Sequence, residues 1–564
     1  MYVGVDVGGT YTDAVLLDEK RVLATAKVPT KSDLLGSIIR AIDIVLKDVQ
    51  KKHIKRIVFS TTIITNLIAE HKYDDVALLL IPGPGLSRSY YNFNAEAVFL
   101  SGAIDYRGRE IIPLNPVEVK EKLSQIAAKG YKKVGVICKF STRNTSYEKQ
   151  VAAMIREKYP EWQVESGSQV AGQLNFPRRV VTTHLTCATR EPYSNFAKSV
   201  RQALEIREIK ADVFILKADG GTLPLQSSEE FPVETIFSGP AASTLGVQAL
   251  TKPGETAVVV DIGGTTTDLA LILGGRPLLS SKGAKVMEQL TQVRTLAVKS
   301  VAIGGDSLVV SDGENLIINP ERMGSAYCMG GPAPTPTDAL RTLGLTSLGD
   351  GAKAREAMTR LGNSIGIVCE EVAWRIIKSF VDKVSAEIEN IFFEWEQEPA
   401  YRVWEVLQKR RIRPELVVGV GGGTPGFINQ IAEKIGCKPY IPPYAPVANA
   451  IGAAVAKPTM QTSLRADTEQ GYYIIQEEGL QEKIEDSSFN ESNALELAKK
   501  KLIERSSKYG LEVSEEEIEI TRQEVFNMIR DWHTTGRLFD ITVQTPRGII
   551  CRIGAEDTDE QVGR

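Results

Sequence analysis

The sequence predicts an α/β protein of two lobes that begin alike, followed by a small α+β domain. Three observations predict it. The phrase VDVGGTYTD at residues 5–13 returns as VDIGGTTTD at 260–268. Short apolar runs such as Lys133 to Cys138 and Asp212 to Leu216 alternate with stretches of helical spacing. The length of 564 residues exceeds what one hydrophobic core fills, so several domains are expected. The reading divides the chain at 1–75 (first part of the N-terminal lobe), 76–254 (its remainder, with a substrate-side insertion), 255–456 (second lobe) and 457–564 (accessory domain).

Composition narrows the function classes. Hydrophobic residues make up 43% and charged residues 24%, and no apolar run reaches the ~18 residues that would span a bilayer, so no membrane partner is expected. The net charge is -4 with dispersed basic residues, which leaves no electrostatic footprint for nucleic acid. MYVGVDVGG enters strand-like sequence without a secretory signal, and a cytoplasmic protein is expected. Six cysteines stand singly and four histidines lack metal-site spacing, which argues against disulfide frameworks, iron–sulfur clusters and imidazole-held metals.

The first element to justify is the repeated phrase. Each copy is an apolar run, Gly-Gly-Thr, a polar pair, Asp and a second apolar run, which reads as a β-hairpin with a glycine turn. Gly8, Gly9, Gly263 and Gly264 are expected to adopt positive φ and to bring N–H groups against a ligand, with Thr10, Thr12, Thr265 and Thr267 adding hydroxyls. Nests of this kind suit phosphate oxygens. Asp6 and Asp261 precede the glycines and would repel phosphate unless a cation intervenes, so both are predicted Mg²⁺ ligands. Two such clamps can grip opposite ends of one polyphosphate. Asp13 and Asp268, after the turns, are read as turn stabilisers.

Later segments follow in order. Arg56 to Phe59 reads as a strand, and Thr61-Thr62 as the polar start of a helix. Ser238 to Ser243 opens a helix whose small residues suit close packing. Ile303 to Ser307 is a glycine turn containing Asp306. Pro332, Pro334 and Pro336 stiffen an extended segment, after which Thr337 or Asp338 is expected to cap a helix. Glu370 to Phe393 shows amphipathic spacing, with Trp374 and Phe380 assigned to the core. Glu415 to Val420, a strand, meets a helix at Phe427 to Ile435 through Gly421, Gly422 and Gly423, the geometry that aims N–H groups at an anion. Ala448 to Ala454 is a small-residue helix. In the tail, Asn493 to Lys508 is helical, Ser514 to Glu519 reads as a solvated acidic helix face, and QTPRG is expected to turn a hairpin between Leu538–Val543 and Gly548–Ile553.

The paired DxGGTxxD hairpins resemble the phosphate loops of the sugar kinase, actin and heat-shock ATPase superfamily. STTIITN (60–66), DYRGREIIPL (105–114), SGPAAS (238–243), GGPAPTPTDA (330–339) and GVGGGTPG (419–426) narrow the resemblance to the hydantoinase/oxoprolinase family. It implies two ribonuclease-H-like lobes with a cleft for ATP, Ser238 and Gly239 beside the nucleotide, and Gly421 to Gly423 as the adenosine loop. In that family the motif at 59–62 begins His-Gly, where this chain has Phe59 and Ser60, and a third glycine usually stands at Asp306. That extra carboxylate is a candidate catalytic group with Asp6 and Asp261; Asp338 is a further candidate.

What the resemblance implies is an ATP- and Mg²⁺-dependent enzyme acting on a small carbonyl or cyclic amide substrate. Phosphoryl transfer to a carbonyl or amide oxygen prepares ring-opening hydrolysis or carboxylation. An oligomer and a second enzyme subunit are the implied partners. The alternative is a chaperone-like ATPase that reactivates another enzyme, a class in which iron–sulfur activators would require a cysteine cluster that this sequence lacks.

Overall fold

A computed structural model describes residues 1–30, 33–85, 87, 93–313, 315–397, 412–486 and 488–554. The repeated phrase becomes the repeated element. Strands β1 (Tyr2–Val7) and β2 (Tyr11–Asp18) form an antiparallel hairpin continued by β3 (Arg21–Pro29). The other edge of β1 pairs in parallel with β4 (Arg56–Thr61). After an insertion, β9 (Asp212–Leu216) and β10 (Thr222–Pro224) complete the sheet in the order β10-β9-β4-β1-β2-β3.

The second lobe repeats this plan. Hairpin β11 (Ala257–Ile262) and β12 (Thr267–Leu273) pairs in parallel, through β11, with β14 (Leu416–Val420), and β15 (Lys438–Tyr440) follows. Strand β13 (Val298–Val301) pairs with β12. Alternating Val and Ile on β1, β4, β11 and β14 are fully buried because helices cover both sheet faces. These include α1 (Leu34–Val45) on the first lobe, and α9 (Cys369–Glu396) and α10 (Thr424–Ile435) on the second, where Phe380 stacks on Phe427 at 4.1 Å. Two lobes, each begun by the same hairpin, are the two-lobed α/β architecture that the sequence predicts.

The insertion is a parallel sheet, β8-β7-β5-β6, of β5 (Ala77–Ile81), β6 (Glu96–Phe99), β7 (Lys133–Cys138) and β8 (Gln163–Ser166). The 31-residue helix α5 (Phe176–Ile206) ties it to the first lobe. Arg179 on α5, fully buried, donates to Cys138 O and Lys139 O at 2.7 Å, anchoring the helix to the end of β7. Where the lobes meet, α6 (Ser238–Leu250) crosses α11 (Ala448–Val455) at glycine contacts. A Cβ on Gly452 would come within 2.6 Å of Gly246 N.

The C-terminal domain is antiparallel, in the order β18-β17-β16-β20-β19: β16 (Gln461–Asp467), β17 (Tyr472–Ile475), β18 (Leu480–Lys483), β19 (Glu519–Arg530) and β20 (His533–Gln544). Helix α12 (Glu491–Lys508) packs on it.

Four expectations need correction. The hairpin turns at Asp531-Trp532, both at positive φ, and QTPRG begins on Gln544, the last residue of its second strand, and runs on beyond it. The acidic run is a single exposed 3₁₀ turn, Glu515–Glu517. Trp374 is 48% exposed on the outer face of α9. The helix after the prolines, α7 (Pro336–Thr342), is capped by Thr335, whose hydroxyl and backbone trade bonds with Asp338. Among the described residues no helix is long and apolar enough to cross a membrane.

Candidate active site

Both glycine turns close by the same bond: Gly8 N donates to Tyr11 O and Gly263 N to Thr266 O, each at 3.0 Å. None of Gly8, Gly9, Gly263 and Gly264 takes positive φ, contrary to the expectation. At Gly264 the requirement is one of space, since a Cβ there would sit 2.6 Å from Asp306 Oδ2. Gly9 and Thr265 are exposed and a Cβ on Gly9 meets nothing, so these positions are open to a ligand. Thr12 and Thr267 are fully buried, with hydroxyls bonded to Thr30 Oγ1 at 2.9 Å and Ile303 O at 2.8 Å. Of the four predicted hydroxyls, those of Thr10 and Thr265 are not buried.

The structure brings the two turn carboxylates together. Asn449, on α11, donates from one amide nitrogen to Asp6 Oδ2 at 3.3 Å and to Asp261 Oδ2 at 3.1 Å. Burial pushes the Asp6 carboxyl up to about 7, and the neighbouring Asp13 and Asp261 push the same way. Burial also raises Asp261, against the Asn449 amide, which favours its charged form. The Asp6 Oδ1 atom is buried and lacks a hydrogen-bond partner. A carboxylate pair with an orphaned oxygen fits a hard divalent cation, which would satisfy that oxygen and relieve the crowded negative charge.

The carboxylates after the turns differ between lobes. Asp13, cross-strand from Asp6, holds Lys27 Nζ at 2.7 and 2.9 Å. Asp268, cross-strand from Asp261, forms no ion pair among the described residues, and burial pushes it up to about 7.

Four further segments converge here. Thr62 Oγ1 donates to Val7 O at 3.2 Å, so the start of α2 (Ile63–Ala69) borders the first turn. Ser238 Oγ donates to Thr61 O at 2.9 Å, and a Cβ on Gly239 would meet no atom. Gly421 has φ +88, and a Cβ there would lie 2.5 Å from Asp261 Oδ1, while Gly423 N donates to Ile262 O at 3.2 Å. Gly422 is open. Asp306 N donates to Gly264 O at 2.8 Å, and its carboxylate pairs with Arg322 at 2.9 Å. Asp338 points elsewhere: it is fully buried, accepting from Tyr327 N, Cys328 N, Thr335 N and Thr335 Oγ1.

Sequence reasoning missed Asn449 and Arg322. Asn449 had a signal, being the one amide in ANAIGAAV. Arg322, in NPERMG, belongs to no spacing that marks it.

Comparison with known proteins identifies the family and the fold. The hydantoinase/oxoprolinase family model matches residues 179–462, and that of the family's N-terminal region matches residues 2–159. Caprolactamase subunit alpha of Pseudomonas jessenii is 24% identical over 500 residues, 78% of this chain and 68% of that one. The acetophenone carboxylase gamma subunit of Aromatoleum aromaticum is 26% identical over 521 residues, 80% of this chain and 67% of that one. Nucleotide-free acetone carboxylase superposes with a TM-score of 0.72 at 16% identity, over 97% of this chain and 87% of that one. The ATP-dependent caprolactamase from Pseudomonas jessenii gives 0.71 at 20% identity with the same coverage.

Proposed function

The chain belongs to the hydantoinase/oxoprolinase family, and from that premise we propose that it is an ATP-dependent enzyme activating a lactam, hydantoin or ketone oxygen by phosphoryl transfer. The observation that carries this reading is the single Asn449 amide touching both Asp6 and Asp261, which joins the repeated turns into one site. In it, the N–H groups of Gly9 and Gly264, with the hydroxyls of Thr10 and Thr265, hold the phosphates, while Gly8 and Gly263 use theirs to close the turns. Ser238 and Gly239 border the nucleotide, and Gly421, Gly422 and Gly423 take the ribose and base side. Asp6 and Asp261 hold Mg²⁺, which when bound neutralises phosphate charge.

The terminal phosphoryl group leaves the bridging oxygen of ATP, giving ADP, and bonds to the substrate's carbonyl or amide oxygen. On a lactam or hydantoin, water adds to the activated carbon, and the ring C–N bond breaks as nitrogen takes a proton. The acyl phosphate so formed is hydrolysed to carboxylate and phosphate. On a ketone, loss of an α-proton to water gives an enol phosphate. Its α-carbon attacks carbon dioxide while water takes the phosphoryl group, so the oxygen stays on carbon. The chain's own contribution is to orient both reactants and to neutralise charge, because phosphoryl transfer needs little covalent help from protein. Caprolactamase subunit alpha and acetophenone carboxylase gamma are by name subunits of larger enzymes, which supports a second subunit here.

The test is ADP release by the purified chain with ATP and Mg²⁺ across a panel of lactams, hydantoins and ketones. Stimulation by one class of small molecule is the expected result. Stimulation by protein alone would replace this reading with a chaperone-like ATPase.

A further inference from the structure

A continuous bridge links the two turns, and its centre is a cation. Arg322 Nη1 donates to Thr10 Oγ1 at 3.0 Å, on the first lobe's turn. Nη2 donates to Asp306 Oδ2 at 2.9 Å, and Nε to Gly324 O at 3.0 Å. The Asp306 backbone is itself bonded to Gly264 O, on the second lobe's turn. Lys27, which pairs with a carboxylate at the foot of the first hairpin, is committed to Asp13. The Arg322 side chain is 26% exposed, and three of its five N–H groups are used, leaving two.

We propose that Arg322 is a further catalytic residue: its guanidinium binds the terminal phosphoryl group held between the turns, and Asp306 is the positioning residue that aims it. The inference rests on the ATP-dependent reading above and adds a named charge to it. A guanidinium presents a planar fork matched to phosphate oxygens. Held on one side by a carboxylate and a carbonyl, it needs little reorganisation when charge develops on the transferring group, the condition under which fixed donors lower a barrier. The fork is bonded to Thr10, a neutral acceptor; a phosphate oxygen offers a charged one in its place. A diphosphate, lacking the terminal group, gains nothing from this contact. Asp306 thus acts through Arg322 and touches no substrate atom.

The experiment compares wild type with Arg322→Ala, Arg322→Lys and Asp306→Asn. Calorimetry with Mg²⁺ measures affinity for a non-hydrolysable ATP analogue and for ADP, and ADP release measures turnover. Arg322→Ala is expected to lower the analogue-to-ADP affinity ratio by about 10-fold while leaving ADP affinity within about 2-fold. Turnover should fall by about 10²- to 10³-fold. Arg322→Lys should restore part of both, and Asp306→Asn should reduce turnover by about 10-fold with a smaller change in the ratio. An unchanged ratio with unchanged turnover overturns the inference. Equal loss of both ligands also overturns it, because that marks a purely structural bridge between lobes. If wild type binds neither nucleotide, the ATP-dependent reading itself has failed; if wild type binds both and the variants match it, the failure belongs to Arg322 alone.

Discussion

At the scale of single residues, the site's electrostatics follow from burial. His184, on α5 with its ring edge-on to Tyr73 at 6.1 Å, is pushed down by burial from 6.5 to about 4. The unfolded chain therefore takes up this proton near pH 6.5 and the folded chain only near 4. Its contribution to stability is complete above about pH 6.5 and is lost as the pH falls towards 4, up to roughly 3 kcal/mol. Asp6 and Asp268, both raised to about 7, act with the opposite slope over an overlapping range. The measurement is thus a difference: wild type minus His184→Leu, by denaturant unfolding at pH 7 and pH 5. The wild type is expected to lose more stability between those values than the variant does. Much of the site was legible at this scale, because carboxylates, glycines and threonines recur in one phrase. The orientations of Thr12 and Thr267 were not, since strand alternation sends every second side chain inward whatever its polarity.

At the scale of elements, the strands whose apolar residues face a core on both sides were the readable ones: β7 and β9 have the limits that the sequence predicts. The long hairpin β19–β20 was not readable. Val525, Phe526 and Ile529 are exposed on β19, so no alternation of burial marks the strand, and its turn uses Asp531-Trp532 where a glycine would have announced it. The α6–α11 crossing was visible only as small residues, and its reason is backbone approach. Gly452→Ala would place a methyl carbon against the Ala242 carbonyl and Gly246 N. We expect a loss of about 1–3 kcal/mol in unfolding free energy, read as a lowered midpoint in denaturant. Activity should fall with it, because Asn449 sits on the same helix between the two turns.

At the scale of the whole molecule, a duplicated strand plan places two equivalent turns opposite each other, and α11 joins them beneath the cleft. The duplication was legible because the phrase itself repeats; the convergence was not, because lobe orientation depends on contacts such as Gly246 with Gly452 that sequence spacing does not encode. The central claim is that both turns serve one nucleotide. Titration calorimetry with MgATP on wild type, Gly9→Asp and Thr265→Asp tests it most directly, since each substitution adds a carboxylate at an open position in one turn. The account expects one site per chain and a loss of at least about 10-fold in affinity from either substitution alone. Absence of binding in the wild type, or undiminished affinity after either substitution, would contradict it.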